Sequence, residues 1–371
     1  MKQMLRISFY ILLVFFIYAC SISDETDNNI PDIDITPLHL DDGWQISSPE
    51  AQGFNLEDLK IAYKEASTFT FIYSTLIIRN GYLVAEKYFN GADVHQAKYI
   101  ASATKSYLSA LIGIAKDKGY IKDLNQKMMS FFPEYASENI EPDKYEITIK
   151  HLLQMRAGYW HDSTDDRWWA WINSPDWIKY MIDLPLENPP DKAWNYSTGS
   201  SQILSGILTK STGKTGVDFA VKYLFDPINS GLASWAKDPQ GYNQGGFNMY
   251  ITPRDMARLG LLYLNNGEFN STQIVSQNWV MESTKPYSRV KWEFGPIINA
   301  SYGYHWWTGE IKGYPIFFAT GHGGQNIMIF RDLNMVVVTT TNADIGFADS
   351  WHQSLATFYF IANHILPAII E

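Results

Sequence analysis

Apolar and polar positions along the chain change period several times, and each change marks an element. Gln52 to Lys64 carries apolar residues at helical spacing. Ser74 to Phe89 is rich in β-branched and aromatic residues on both sides of Asn80-Gly81, the signature of a hairpin with a positive-φ turn. After Ser102 the run Tyr107, Leu108, Ala110, Leu111, Ile112, Ile114, Ala115 has the density of a buried helix. Helices are predicted again over Ser200 to Lys210 and Pro253 to Asn265. Ile316–Thr320, Asn326–Phe330 and Met335–Thr341 read as three strands, the last two joined by a tight turn at Arg331–Asn334. A final helix is expected over Ser350 to Ile365. A hairpin, many helices, a strand triplet and a helix make an α+β chain. Its antiparallel sheet is built from both chain ends, flanked by helices and interrupted by a mostly helical insertion subdomain. The Ser102 helix lies at the seam of the two parts.

The N-terminus is patterned differently. Lys2 and Arg6 precede an apolar run from Ile7 to Ala19, and Cys20 follows as the one cysteine of the chain. Residues 1–19 resemble a bacterial lipoprotein signal peptide, with Cys20 as the lipidated first residue. Residues 20–42 hold Asp24, Glu25, Asp27, Asp32 and Asp34 without Lys or Arg, and read as an acidic flexible tether. Residues 43–371 form the remaining domain. This organisation implies an exported, membrane-anchored lipoprotein, periplasmic or on the cell surface. A lone cysteine makes no internal disulfide, so stability must come from packing.

Of 371 residues, 46% are hydrophobic and 18% charged, enough for a large core. The net charge of −10 argues against nucleic acid as a partner, since phosphate backbones require clustered Lys and Arg. No His/Cys spacing suits zinc and no glycine-rich loop suits phosphate, so neither metal nor cofactor is expected.

Ser102-Ala-Thr-Lys105 carries the chemistry. Residues three apart share a helix face, so Lys105 reaches the Ser102 hydroxyl from one turn away. An enclosed lysine amine sheds its proton more readily and activates that weak nucleophile. Ser-x-x-Lys also occurs at Ser211, Ser234 and Ser288, but in turn-like or polar connections. A second candidate is Tyr196, in Trp194-Asn-Tyr-Ser-Thr-Gly-Ser200, a phenol able to relay a proton if a cation stands beside it. A third is Thr320-Gly-His-Gly-Gly-Gln325. There a backbone N–H of Gly324 or Gln325 is expected to pair with that of Ser102 around an oxyanion.

Taken in order, Ser-x-x-Lys, Tyr-Ser-Thr and His-Gly-Gly resemble the serine β-lactamase and penicillin-binding-protein superfamily. The resemblance narrows to the branch of class C β-lactamases, family VIII carboxylesterases and nylon-oligomer hydrolases. His151-Leu-Leu-Gln-Met-Arg-Ala-Gly158, Gly245 to Gly260 and Gly303-Tyr-His-Trp-Trp307 extend it over nearly everything after the tether. It implies that Ser102 is the acylated nucleophile, Lys105 its base and Tyr196 the proton shuttle. It also implies that His322-Gly323-Gly324 takes the place of a Lys-Thr-Gly strand. Two departures matter: Thr198 stands for Asn, and His322 for a lysine that would bind a substrate carboxylate. Histidine is largely neutral at pH 7. The expected substrate is thus a small ester, amide or short peptide-like molecule without an obligatory carboxylate.

The loop Gly158 to Trp171 is the expected substrate wall, through Tyr159, Trp160, Trp168 and Trp169. The leading expectation is a serine hydrolase working through an acyl-enzyme on Ser102. The alternatives are a D-alanyl peptidase or β-lactamase acting on cell-wall-like substrates, and a non-catalytic ligand-binding lipoprotein.

Overall fold

The computed structural model describes residues 33–161 and 166–370. The expected signal segment, Cys20 and residues 20–32 of the tether lie outside the described residues, as do residues 162–165 of the aromatic loop.

One antiparallel sheet organises the chain. Its strands are β1 (Ile72–Arg79), β2 (Tyr82–Tyr88), β3 (Ser288–Arg289), β4 (Ile297–Tyr302), β5 (Trp307–Ile311), β6 (Tyr314–Gly321), β7 (Gln325–Phe330) and β8 (Met335–Thr341). They lie in the order β2-β1-β8-β7-β6-β5-β4-β3. The two chain ends meet one strand in from the β2 edge, where β1 pairs with β8 in the register Leu76↔Val338 and Ile78↔Val336. Asn80 (φ 53°) and Gly81 (φ 86°) turn the β1–β2 hairpin as their residue types require. β4 and β5, with the two-residue β3, are additions to the sequence-based layout. Their mixed sequences gave no alternation, because β4 leaves Ile298 and Asn299 exposed.

Both faces of the central strands are covered, so these strands are almost continuously apolar. Ile327, Ile329, Val336 and Val338 face the core shared with α2 (Thr104–Asp117), α3 (Thr198–Thr212) and α4 (Pro253–Leu264). Met328, Phe330, Met335 and Val337 face α1 (Leu56–Thr68) and the C-terminal α5 (Phe347–Phe360). Gly260 lets α4 lie close on the sheet, since a Cβ there would fall 2.5 Å from Val336 Cγ1. The helices begin where side chains satisfy their first N–H groups. Asn55 caps α1, Ser197 caps α3, and Thr252 followed by Pro253 opens α4. The first helix therefore starts at Leu56, four residues later than its apolar spacing suggested, after a separate turn at Glu50–Gln52.

Residues 33–42, assigned to the flexible tether by composition, are bound to the domain instead. Ile35 is buried and its carbonyl accepts the Glu86 N–H at 3.0 Å, beside the outer edge of β2. Buried Arg254 holds the strap: it donates to Glu86 Oε1 at 2.8 Å, to Asp42 Oδ2 at 2.6 Å and to the Leu38 carbonyl at 2.7 Å. Asp42, at the end of the segment read as a tether, thus supplies one half of a docking contact.

Candidate active site

Ser102 lies in a 3-10 turn, Ala101–Ala103, that runs straight into α2. The α-helix proper begins two residues after the serine. Ala101 holds φ 47°, a left-handed conformation that costs a non-glycine residue about 1–3 kcal/mol. Local bonds hold it there: Thr104 Oγ1 donates to the Ala101 carbonyl at 2.7 Å, and the Ala103 N–H to the Ile100 carbonyl at 3.1 Å. The end of β6 closes on the same turn. A Cβ on Gly321 would fall 2.2 Å from the Ile100 carbonyl, so this contact needs glycine.

Lys105 is buried, and its Nζ stands 3.1 Å from Ser102 Oγ, 3.0 Å from Thr198 Oγ1 and 3.0 Å from the Gly246 carbonyl oxygen. Two distant segments therefore converge with the Ser102 turn on one amine. Gly246 is needed for this approach, since a Cβ there would meet Thr198 Cγ2 at 2.4 Å and Lys105 Nζ at 3.0 Å. The amine also lies over the ring of Tyr196, 4.8 Å from its centroid. The next residue, Ser106, donates to the carbonyl of buried His305 at 2.7 Å. Burial, and secondarily the nearby Lys105 charge, push the His305 imidazole down to about 3.

Tyr196, just ahead of α3, stacks on Trp307 at 5.5 Å and lies 5.6 Å from Trp292. Ser102, Tyr196, Thr198, Thr320, Gly321 and His322 line one cavity of about 680 Å³. That volume suits a small organic substrate. The three residues expected to react are thus brought to one place from α2 and the start of α3.

The loop after β6 needs correction. Gly323, Gly324 and Gln325 do not line the cavity. The Gly323 N–H donates to Ser350 Oγ at 2.8 Å, and the Gly324 N–H to the Gly321 carbonyl at 3.0 Å. Gln325 is buried with its side chain spent on Thr341, donating to its carbonyl at 2.9 Å. The two glycines, at φ 85° and 103°, form the β6–β7 turn. The cavity instead meets Thr320-Gly321-His322. Trp307, the first residue of β5, pairs with Phe318, so the edge of β6 beyond Phe318 has no β5 partner. The His322 ring bonds the Ile345 carbonyl through Nε2 at 2.9 Å.

The aromatic wall also divides. Trp168 and Trp169 line the cavity, Trp169 being 64% exposed. Tyr159 and Trp160 do not: both are about 1% exposed and pack the insertion, Tyr159 against Met128 and Trp160 edge-on to Trp171. Large apolar rings win burial in that subdomain before they can serve a cleft. Of the remaining aromatic lining, Trp307 was open from sequence and the rest was missed: Trp292, Phe294, Phe347, Trp351 and Phe358. The expected helix at Ser350 to Ile365 pointed to the last two, but only the packing of α5 on the sheet decides which face meets the cleft.

The other Ser-x-x-Lys serines lie elsewhere. Ser211 is in the last turn of α3 rather than in a loop, Ser234 begins a two-residue strand, and Ser288 is in edge strand β3. None of them lines the cavity.

The Beta-lactamase family model matches residues 73–355. The 6-aminohexanoate-dimer hydrolase of Paenarthrobacter ureafaciens is 24% identical over 340 residues, covering 86% of this chain and 84% of that protein. The octameric penicillin-binding protein homologue from Pyrococcus abyssi shares the fold with a TM-score of 0.64 at 17% identity, over 85% of this chain and 77% of its own. EstCE1, a hydrolase with promiscuous acyltransferase activity, gives 0.66 at 14% identity, over 82% and 98%.

Proposed function

The chain belongs to the Beta-lactamase family, and from that premise we propose that it hydrolyses an ester or amide through an acyl-enzyme on Ser102. The observation that carries this reading is the contact of a buried Lys105 amine with the Ser102 hydroxyl inside a substrate-sized cavity.

Two of the Lys105 partners, Ser102 and Thr198, are hydroxyls that either donate or accept. The amine can therefore lose a proton without stranding a buried donor: it keeps one N–H on the Gly246 carbonyl and turns its lone pair to Ser102. Neutral Lys105 takes the Ser102 proton as Oγ attacks the substrate carbonyl carbon. The oxyanion of the tetrahedral intermediate is stabilised by the N–H groups of Ser102 and His322, the latter at the β6 edge that β5 leaves open. As the carbonyl re-forms, the bond to the leaving oxygen or nitrogen breaks. Tyr196 gives that atom a proton and recovers one from Lys105. In the second half a water molecule loses a proton to the Lys105/Tyr196 pair and attacks the acyl carbon. Ser102 leaves with that proton, and the acid departs. The sum is ester or amide plus water giving acid plus alcohol or amine.

Turnover of p-nitrophenyl acetate, with an acetyl adduct trapped on Ser102, tests this reading. The D-alanyl peptidase or β-lactamase alternative requires a counter-ion for a substrate carboxylate, and no Lys or Arg is among the described residues lining the cavity. Hydrolysis of nitrocefin or stable acylation by penicillin would favour it. A binding protein would keep ligand affinity and show no turnover. Export and acylation at Cys20 remain part of the proposal: Cys20→Ala should move the protein from the membrane fraction to the soluble fraction.

A further inference from the structure

The aromatic residues lining the cavity form two sets by their ring contacts, its two arms, and their chemistry differs. On the insertion side stand Trp168, Trp169 and Phe247, with Asp166 beside them. On the sheet side Trp292, Phe294, Trp307 and Trp351 form a closed set of ring contacts. Trp292 lies 5.3 Å from Trp307 and 6.2 Å from Trp351, and Phe294 lies 4.9 Å from Trp307 and 5.4 Å from Trp351. Tyr196 belongs to this second set through its stack on Trp307.

Resting on the hydrolase reading, the position of Tyr196 assigns the arms. The phenol must deliver its proton to the departing atom, so the leaving group occupies the arm in which the phenol stands. We propose that the sheet-side cage of Trp292, Phe294, Trp307 and Trp351 is a leaving-group subsite selective for a bulky, uncharged aromatic alcohol or amine. Two observations set the selectivity. Half-buried Trp292 and Trp351, backed by buried Phe294 and Trp307, offer flat apolar faces at an angle to each other, which hold a ring by stacking and edge contacts. Its two serines are already engaged: Ser350 Oγ accepts the Gly323 N–H at 2.8 Å, and Ser354 Oγ donates to the Ser350 carbonyl at 2.9 Å. A carboxylate entering this arm would lose its hydration and find no Lys or Arg among the described lining residues. Phe347 lines the same cavity and is 60% exposed, which places it at the rim.

Acetate esters of benzyl alcohol, 2-naphthylmethanol and 4-carboxybenzyl alcohol test this directly. All three give the same acetyl-enzyme, so kcat/KM compares acylation alone. The naphthylmethyl and benzyl esters should exceed the carboxybenzyl ester by roughly tenfold or more, the scale on which apolar pockets discriminate. Trp351→Ala should reduce the naphthylmethyl-to-benzyl ratio several-fold. Phe347→Lys, at an exposed rim position that tolerates substitution, should raise the relative rate of the carboxybenzyl ester. Acetylation of Ser102 with equal kcat/KM for the three esters, or ratios unmoved in both variants, would overturn the subsite while leaving the hydrolase reading intact. Absence of any acetyl-Ser102 would overturn both.

Discussion

Lys105 Nζ stands 3.1 Å from Ser102 Oγ, with the amine buried and the serine at the cavity surface. The pair is geometrically complete before substrate arrives. Lys105→Met keeps the length of the side chain and removes the base. It should lower kcat/KM for p-nitrophenyl acetate by about 10²–10⁴, the usual range for a positioned base. Unchanged kcat/KM in a folded variant would remove Lys105 from the chemistry.

Tyr196→Phe should keep the stack on Trp307 and lose only the proton. Its cost should depend on the leaving group: small for p-nitrophenolate, which departs unprotonated, and about 10²-fold or more for an alkyl ester or anilide. Equal losses across leaving groups would argue that the phenol positions substrate rather than protonates it.

Much of this was legible in the chain. Ser102, Lys105 and Tyr196 were legible only in combination: Ser-x-x-Lys occurs four times and the chain has 23 tyrosines, but only Ser102 opens a dense apolar helical run, and the order of the three motifs carries the resemblance. The β1–β2 hairpin was readable because Asn80-Gly81 leaves one good turn type. The remainder depends on contacts between distant segments. Nothing local marks Gly246 as the carbonyl that receives Lys105, or Gly321 as the residue that lets β6 touch the Ser102 turn. The expected Gly324 and Gln325 donors failed because the turn bonds the Gly324 N–H to the Gly321 carbonyl and Gln325 is buried against Thr341, which a glycine count does not reveal. Tyr159 and Trp160 illustrate the same limit: an aromatic loop declares apolar surface, but packing chooses which rings are buried.

The strap at residues 33–42 should matter for stability. Glu86, 3% exposed, is paired with buried Arg254, whose guanidinium is held above its usual range by those carboxylates despite burial. Arg254→Ala leaves that carboxylate without its partner and should cost about 3–5 kcal/mol in urea denaturation. Asp42→Ala removes the more exposed partner and should cost about 1 kcal/mol or less. Equal losses would mean that the strap, rather than the buried pair, supplies the stability.

His305 gives a pH signature. Its folded value, about 3, lies below the ordinary 6.5, so the unfolded chain binds a proton that the folded one refuses. Stability should be fully present above pH 6.5 and fall as pH drops from there toward 3. His305→Gln removes this contribution, so its denaturation free energy should fall less steeply than wild type across that window. Parallel curves would show that His305 is not buried in its neutral form.

The most direct measurement is intact-mass analysis and peptide mapping after a fluorophosphonate probe is added to wild type and to Ser102→Ala. One adduct per chain on Ser102, absent from the variant along with all esterase turnover, is the result expected. Labelling of the variant at the wild-type rate, or an adduct on another cavity serine such as Ser350, would contradict the assignment of Ser102 as nucleophile.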